Sequence, residues 1–150
     1  MKCIMGLDPG ISGAVAFYFP DQRAGISAYD VPVVGKEINA SALFDLIHRY
    51  APDLAVIEIV HSMPKQGVAS SFNFGMSYGI AKGVVGSLHI PTINVAPTKW
   101  KKHFGLTADK EQARALAIST WPFSEHFRRK KDNGRAEAAL LALYGARIQK

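Results

Sequence analysis

The sequence predicts an α/β domain: a mixed sheet, partly antiparallel and partly parallel, covered by helices. Three observations carry this. Short apolar segments separated by turn residues fill the first third of the chain, the pattern of an antiparallel meander. An almost wholly apolar run, Leu54-Ala55-Val56-Ile57-Glu58-Ile59-Val60, reads as a strand buried on both faces, as parallel strands are. Between and after these segments the apolar period changes to that of helices. With 150 residues, 48% hydrophobic and 20% charged, a single domain over residues 1–150 accounts for the chain and can build its own core.

The elements follow in order. Lys2 to Leu7, Gly13 to Phe19 and Gly25 to Val31, the last after Pro20-Asp21, are the three meander strands. Asn39 to Tyr50 places Leu43, Leu46, Ile47 and Tyr50 on one helical face, with Asn39 or Ser41 as cap. Pro52-Asp53 ends that helix, and Leu54 to Val60 forms the fourth strand. Ser62 to Gly67 is a loop. Val68 to Leu88 is helical and carries Gly75, Gly79 and Gly83 four residues apart, read as a face that lets the helix pack closely. Ile90 to Val95 is the fifth strand. After Pro97 come a basic helix from Thr98 to Phe104, a second from Asp109 to Ser119, and a last from Gly134 to Ile148 lined by Ala138, Leu141 and Leu143. No repeat or linker divides the chain.

Charge and chemistry narrow the function. Eighteen Lys and Arg stand against twelve Asp and Glu, for a net +6, which favours a polyanionic partner. The excess is concentrated in Lys99, Lys101, Lys102, His103 and Lys110, and again in Arg128-Arg129-Lys130-Lys131. Such runs are either solvated surface or a nucleic-acid footprint. The lone Cys3 excludes an internal disulfide and a cysteine-rich zinc cluster and is read as core. The absence of a spanning apolar run and of a basic-then-apolar leader predicts a protein of the cytoplasm, a host cytoplasm if the gene is viral, with no membrane partner.

Three acidic stations stand out. Asp8 ends the first strand at a glycine-punctuated turn, Met5-Gly6-Leu7-Asp8-Pro9-Gly10-Ile11-Ser12-Gly13, where it either caps the turn or binds a metal. Glu58 interrupts the buried strand, and a desolvated carboxylate needs a partner: Lys65, an opening to water, or a cation shared with Asp8. Asp132 and Glu137 flank the start of the last helix, where acids also serve turns and helix N-termini.

Gly6-Leu7-Asp8-Pro9-Gly10 at the first strand, Val56-Ile57-Glu58 in the fourth, and Asp132 with Glu137 ahead of Ala138-Ala139-Leu140-Leu141-Ala142 resemble the RuvC group of Holliday junction resolvases, within the ribonuclease-H-like nucleases. His61-Ser62-Met63-Pro64-Lys65-Gln66-Gly67-Val68, with Phe72-Asn73-Phe74-Gly75, is similar to the phage-type branch of that group. The resemblance runs over nearly the whole chain in the same order. It implies a ribonuclease-H-like fold on a five-stranded mixed sheet. It also implies a Mg²⁺-dependent crossover junction endodeoxyribonuclease, with Mn²⁺ as substitute, that resolves four-way junctions or other branched DNA by paired nicks as a homodimer.

In the two-metal chemistry the resemblance implies, Asp8 bridges both ions, Glu58 binds one, and Asp132 and Glu137 complete the set. Lys101 and Lys110 would neutralise the scissile phosphate. His61, Lys65, Lys99, Lys102, Arg128, Arg129, Lys130 and Lys131 would join them in contacting DNA. His61, Phe72 and Phe74 fall where the resemblance implies groups that stack on unpaired bases at the junction; Phe72 and Phe74 are read as core in preference to that. One departure concerns the last two acids, which bacterial relatives carry three residues apart. Here they are five apart, roughly 140° around an ideal helix, so Asp132 reaches the cluster only from a turn preceding the helix. The alternative reading is a catalytically weak module of the same fold that binds branched DNA.

Overall fold

The chain was analysed as a computed structural model that describes residues 1–23, 25–59 and 65–149. Strands β1 (Ile4–Leu7), β2 (Ala14–Tyr18) and β3 (Ile26–Asp30) form the expected antiparallel meander, with Leu7 opposite Val15 and Ala16 opposite Ala28. A short hairpin of β4 (Val33–Val34) and β5 (Glu37–Ile38) follows, turning at Gly35, whose φ of 59° lies in the region glycine tolerates best. This hairpin is absent from the sequence reading. Helix α1 (Ala40–Tyr50) is capped by Asn39, whose Oδ1 accepts from the Ala42 N–H at 3.1 Å, and ends at Ala51 just before Pro52.

Strand β6 (Leu54–Glu58) pairs in parallel with β1 on one side and with β7 (Thr92–Val95) on the other. The five-stranded sheet therefore runs β3-β2-β1-β6-β7 and is mixed, as the apolar run at Leu54 required. Between β6 and β7 lies α2 (Val68–Ser87), and after β7 come α3 (Pro97–His103), α4 (Lys110–Thr120), one 3₁₀ turn (Lys130–Asp132) and α5 (Asn133–Ile148). The fourth strand's expected end at Val60, and His61 beyond it, lie outside the described residues.

Alternation along the central strands divides the core into two layers. Met5, Leu7, Ala55 and Ile57 face α1 and α2, while Ile4, Leu54 and Val56 face α5 with α3 and α4 around it. Helix α5 is buried from Ala136 through Tyr144 because it lies between the sheet and the other C-terminal helices. Gly6 makes this possible: a Cβ there would run into the Ala138 carbonyl and the Ala142 N–H of α5.

Two expectations need correction. Helix α2 buries Ser77, Ala81, Val84 and Val85, whereas Gly75, Gly79 and Gly83 are exposed with nothing near their Cβ positions. At 100° per residue the glycine row lies opposite the buried stripe, so it is not a packing face within the chain. Phe72 and Phe74 are likewise exposed, at 69% and 43%: Phe72 lies on the glycine side, and Phe74, though in line with Ser77 and Ala81, stands a turn before the buried stretch of α2 begins. Among the described residues, no helix is long and apolar enough to cross a membrane.

Candidate active site

The sheet builds the site before any side chain does. In the parallel pair Leu7 lies beside Ile57, so Asp8 and Glu58 are the next residues of neighbouring strands, about 4.8 Å apart in the backbone. Leu7 and Ile57 face α1 and α2, so the alternation turns Asp8 and Glu58 to the α5 side. Glu137, one turn into α5, comes down on that same side, 7% exposed.

Asp8 is fixed by its turn. Its N–H donates to the Ala14 carbonyl at 3.0 Å, its Oδ1 accepts from the Gly10 N–H at 3.3 Å, and Gly10 O accepts from the Gly13 N–H at 2.9 Å. The carboxylate thus caps the turn through one oxygen and keeps the other for a second partner, so capping and cation binding are compatible.

The three carboxylates feel one another. Burial is the main force raising the Glu58 carboxyl to about 7; the hydrogen bond from Trp100 and the charge of Lys101 work against it, and the charges of Asp8 and Glu137 add to it. Burial also raises Asp8, opposed by the Gly10 N–H, Lys110 and Lys101. Glu137 is raised by burial too, opposed by Lys101 and Lys110, with Asp8 adding to the rise. Like charges brought together out of water ask for a cation. Lys101, half-buried on α3, supplies one: its Nζ is 3.7 Å from Glu137 Oε2 and 5.6 Å from the centre of the Trp100 ring. Lys110, exposed at the start of α4, acts on Asp8 and Glu137 through its charge.

Asp132 is committed elsewhere. It does lie in the turn before α5, but both its oxygens are engaged by Arg129: the backbone N–H donates to Oδ2 at 2.8 Å, and the guanidinium reaches Oδ1 at 2.8 Å. Burial would raise its carboxyl, yet the Arg129 hydrogen bonds with the charges of Arg129 and Arg135 outweigh this and hold it below the usual carboxylate range. Arg135 in turn pairs with Asp30 at 3.0 Å, and Arg114 of α4 donates to the carbonyls of Phe127 and Arg128. The result is a braced basic segment. Arg128 pairs with Glu125 at 3.4 Å, and Lys130 and Lys131 stand exposed beside it. Lys65, Lys99 and Lys102 are also exposed; of the partners considered for Glu58, the structure shows no bond from Lys65 and supplies one not considered, the Trp100 N–H at Oε2.

Among the described residues the donors of the site are carboxylate oxygens, which suit a hard divalent cation such as Mg²⁺. Among the described residues, however, no three His, Cys, Asp or Glu side chains converge closely enough to hold a metal ion as they stand. The sequence reading missed Trp100 and the Arg129–Asp132 pair. The second had a local signal, since acid and base three residues apart meet on one helical turn.

No family model matches the chain, and no curated protein matches it in sequence. Solved structures do match. Thermus thermophilus RuvC in complex with a Holliday junction substrate is 16% identical, with a TM-score of 0.73 over 99% of this chain and 97% of the other. The fowlpox virus resolvase in complex with Holliday junction DNA is 18% identical, with a TM-score of 0.57 over 99% of each chain. The yeast mitochondrial Holliday junction resolvase is 16% identical, with a TM-score of 0.55 over 97% of this chain and 79% of the other. At such low identities the agreement is one of architecture, and the chain has the ribonuclease-H-like fold of the RuvC-type resolvases.

Proposed function

We propose that this protein is a divalent-cation-dependent endonuclease that cuts branched DNA, with the four-way junction as preferred substrate. The observation that carries the reading is the register that sets Asp8 beside Glu58 at the ends of two parallel strands, with Glu137 of α5 buried on the same side of the sheet and Lys101 paired to it, in a chain of this fold. Asp8, Glu58 and Glu137 would hold Mg²⁺ or Mn²⁺. Asp132, engaged by Arg129, is left out of that set and assigned to bracing the basic segment. When bound, paired ions supply an activated water and stabilise the leaving 3′ oxygen.

The chain's own part is positioning and charge. Asp8 is held by its turn and Glu58 by Trp100, so both carboxylates would receive a cation without first being ordered. Lys101, paired with Glu137 in the free chain, would move onto the phosphate oxygens, and Lys110 would add a second positive charge. Lys65, Lys99, Lys102, Arg128, Lys130 and Lys131 would grip the backbone of the arms without reading sequence, and the same role is proposed for His61.

A four-way junction is two-fold symmetric, so paired nicks call for a symmetric homodimer. Val68, Phe72, Gly75, Gly79 and Gly83 share the exposed side of α2, a flat apolar stripe suited to a second copy of itself.

The test is a gel. Purified protein with Mg²⁺ is expected to nick four-way junctions in preference to linear duplex, and Asp8→Asn to bind junctions without cutting them. Equal cutting of duplex, or undiminished cutting by Asp8→Asn, overturns the proposal. A binding module with weak catalysis is the second reading, favoured by the incomplete convergence of the three carboxylates. Tight junction binding with no Mg²⁺- or Mn²⁺-dependent cutting would select it.

A further inference from the structure

Buried tryptophans need a partner for their single N–H, and a backbone carbonyl usually suffices. Trp100 has a different one. Its ring is wholly buried, and Nε1 donates to Glu58 Oε2 at 2.8 Å across 42 residues of sequence. The ring itself has little room to move. It packs edge-on against Phe104 at 6.4 Å between centroids, belongs to the core shared with Val95 and α5, and stands on a helix begun by Pro97. The partner, by contrast, is a long side chain at a strand end, half-buried and adjustable.

We infer that Trp100 is a positioning residue: its buried indole N–H, aimed at Oε2, fixes the Glu58 carboxylate at the strand end and leaves Oε1 for a divalent cation. This rests on the proposed reading of Asp8, Glu58 and Glu137 as a cation site. A rigid donor on one oxygen removes the rotamer search that the glutamate would otherwise lose on binding. Because the next residue, Lys101, pairs with Glu137, one short helix sets two of the three carboxylates at once. A tryptophan serving only to fill the core would be replaceable by any ring of its shape.

That difference defines the experiment. Trp100 is replaced site-specifically by benzothienylalanine, which keeps the bicyclic shape and puts sulfur where the N–H was; Trp100→Phe serves as a second variant. Mn²⁺ binding to the full chain is read from the loss of the free-ion electron paramagnetic resonance signal, with thermal melting in EDTA alongside. The isostere is expected to melt like the parent protein and to bind Mn²⁺ about 10- to 100-fold more weakly, the usual cost of losing a partner that orients a ligand. A metal-dependent change in tryptophan fluorescence is expected to survive in Trp121→Phe and vanish in Trp100→Phe. An isostere that binds Mn²⁺ like the parent protein overturns the inference. Glu58→Gln separates the two levels: if it too binds normally, or if the parent chain binds no Mn²⁺, the cation-site reading falls. If Glu58→Gln loses binding while the isostere keeps it, only the role of Trp100 falls.

Discussion

In EDTA at pH 8, Glu58→Gln is expected to stabilise the folded chain by up to about 3 kcal/mol, a large fraction of the margin of a domain this size. Burial raises the Glu58 carboxyl from 4.5 to about 7, the Trp100 N–H opposes the rise, and Asp8 and Glu137 add to it. Below pH 4.5 both folded and unfolded chains hold the proton, and this residue's contribution to stability is fully present. Between 4.5 and about 7 only the unfolded chain has released it, so stability falls with rising pH at about 1.4 kcal/mol per pH unit. Above about 7 the loss is complete. The window spans about 2.5 pH units, which sets the upper limit of about 3 kcal/mol.

Glutamine is neutral throughout and keeps an oxygen to accept the Trp100 N–H, so the variant removes the charge and little else. Urea unfolding of both proteins in EDTA at pH 5, 6, 7 and 8 is the assay. Asp8 and Glu137 are raised in the same direction, so the parent curve falls with pH for more than one reason, and the gap between the two proteins isolates Glu58. That gap should open as pH rises and plateau above 7. Parallel curves would refute the claim that Glu58 ionises inside a repulsive cluster. Mg²⁺ should reverse the order, stabilising the parent more than the variant and more at pH 8 than at pH 5.5.

Two further outcomes follow from the same geometry. Asp132→Asn is expected to weaken junction binding in EDTA, because the segment Arg129 braces is loosened, while leaving Mn²⁺ affinity within about twofold of the parent; a loss matching that of Glu137→Gln would make Asp132 a ligand after all. Gly79→Ala is expected to raise the stability of the monomer by about 1 kcal/mol, as exposed helical glycines do, and Gly79→Leu to weaken self-association in sedimentation. Unchanged self-association in Gly79→Leu would move the dimer face off α2.

What the sequence made legible was whatever depends on local pattern. The meander, the buried run at Leu54 and the helices each announce themselves by period, and Asp8, Glu58 and Glu137 by where they fall in those elements. The rest needed the third dimension. The glycine row of α2 is regular, but a competing stripe, Ser77, Ala81, Val84 and Val85, recurs at helical spacing too, and periodicity does not say which of two faces turns inward. Trp100 reads as an ordinary core residue until β6 and α3 are brought together. The β4–β5 hairpin has strands of two residues, too short for alternation to show. Resemblance alone groups Asp132 with Glu137, whereas Arg129, three residues back, is the partner its carboxylate meets.

The site's shape rests on how closely α5 approaches the sheet, and that distance is set by glycines, Gly6 of β1 near the acids and Gly145 at the far end of α5, not by any acid. Asp8 and Glu58 are neighbours by strand register alone, a relation that two strands keep through considerable change. Glu137 arrives on a separate element, across a contact where a Cβ at Gly6 would meet the α5 backbone itself. An alanine at that position must push α5 outward or tilt it, since backbone atoms cannot step aside as a flexible side chain can. Either movement separates Glu137 from the strand pair while leaving Asp8 beside Glu58. The glycine two residues before the first acid therefore belongs to the site as much as to the fold, and the two cannot be altered independently there.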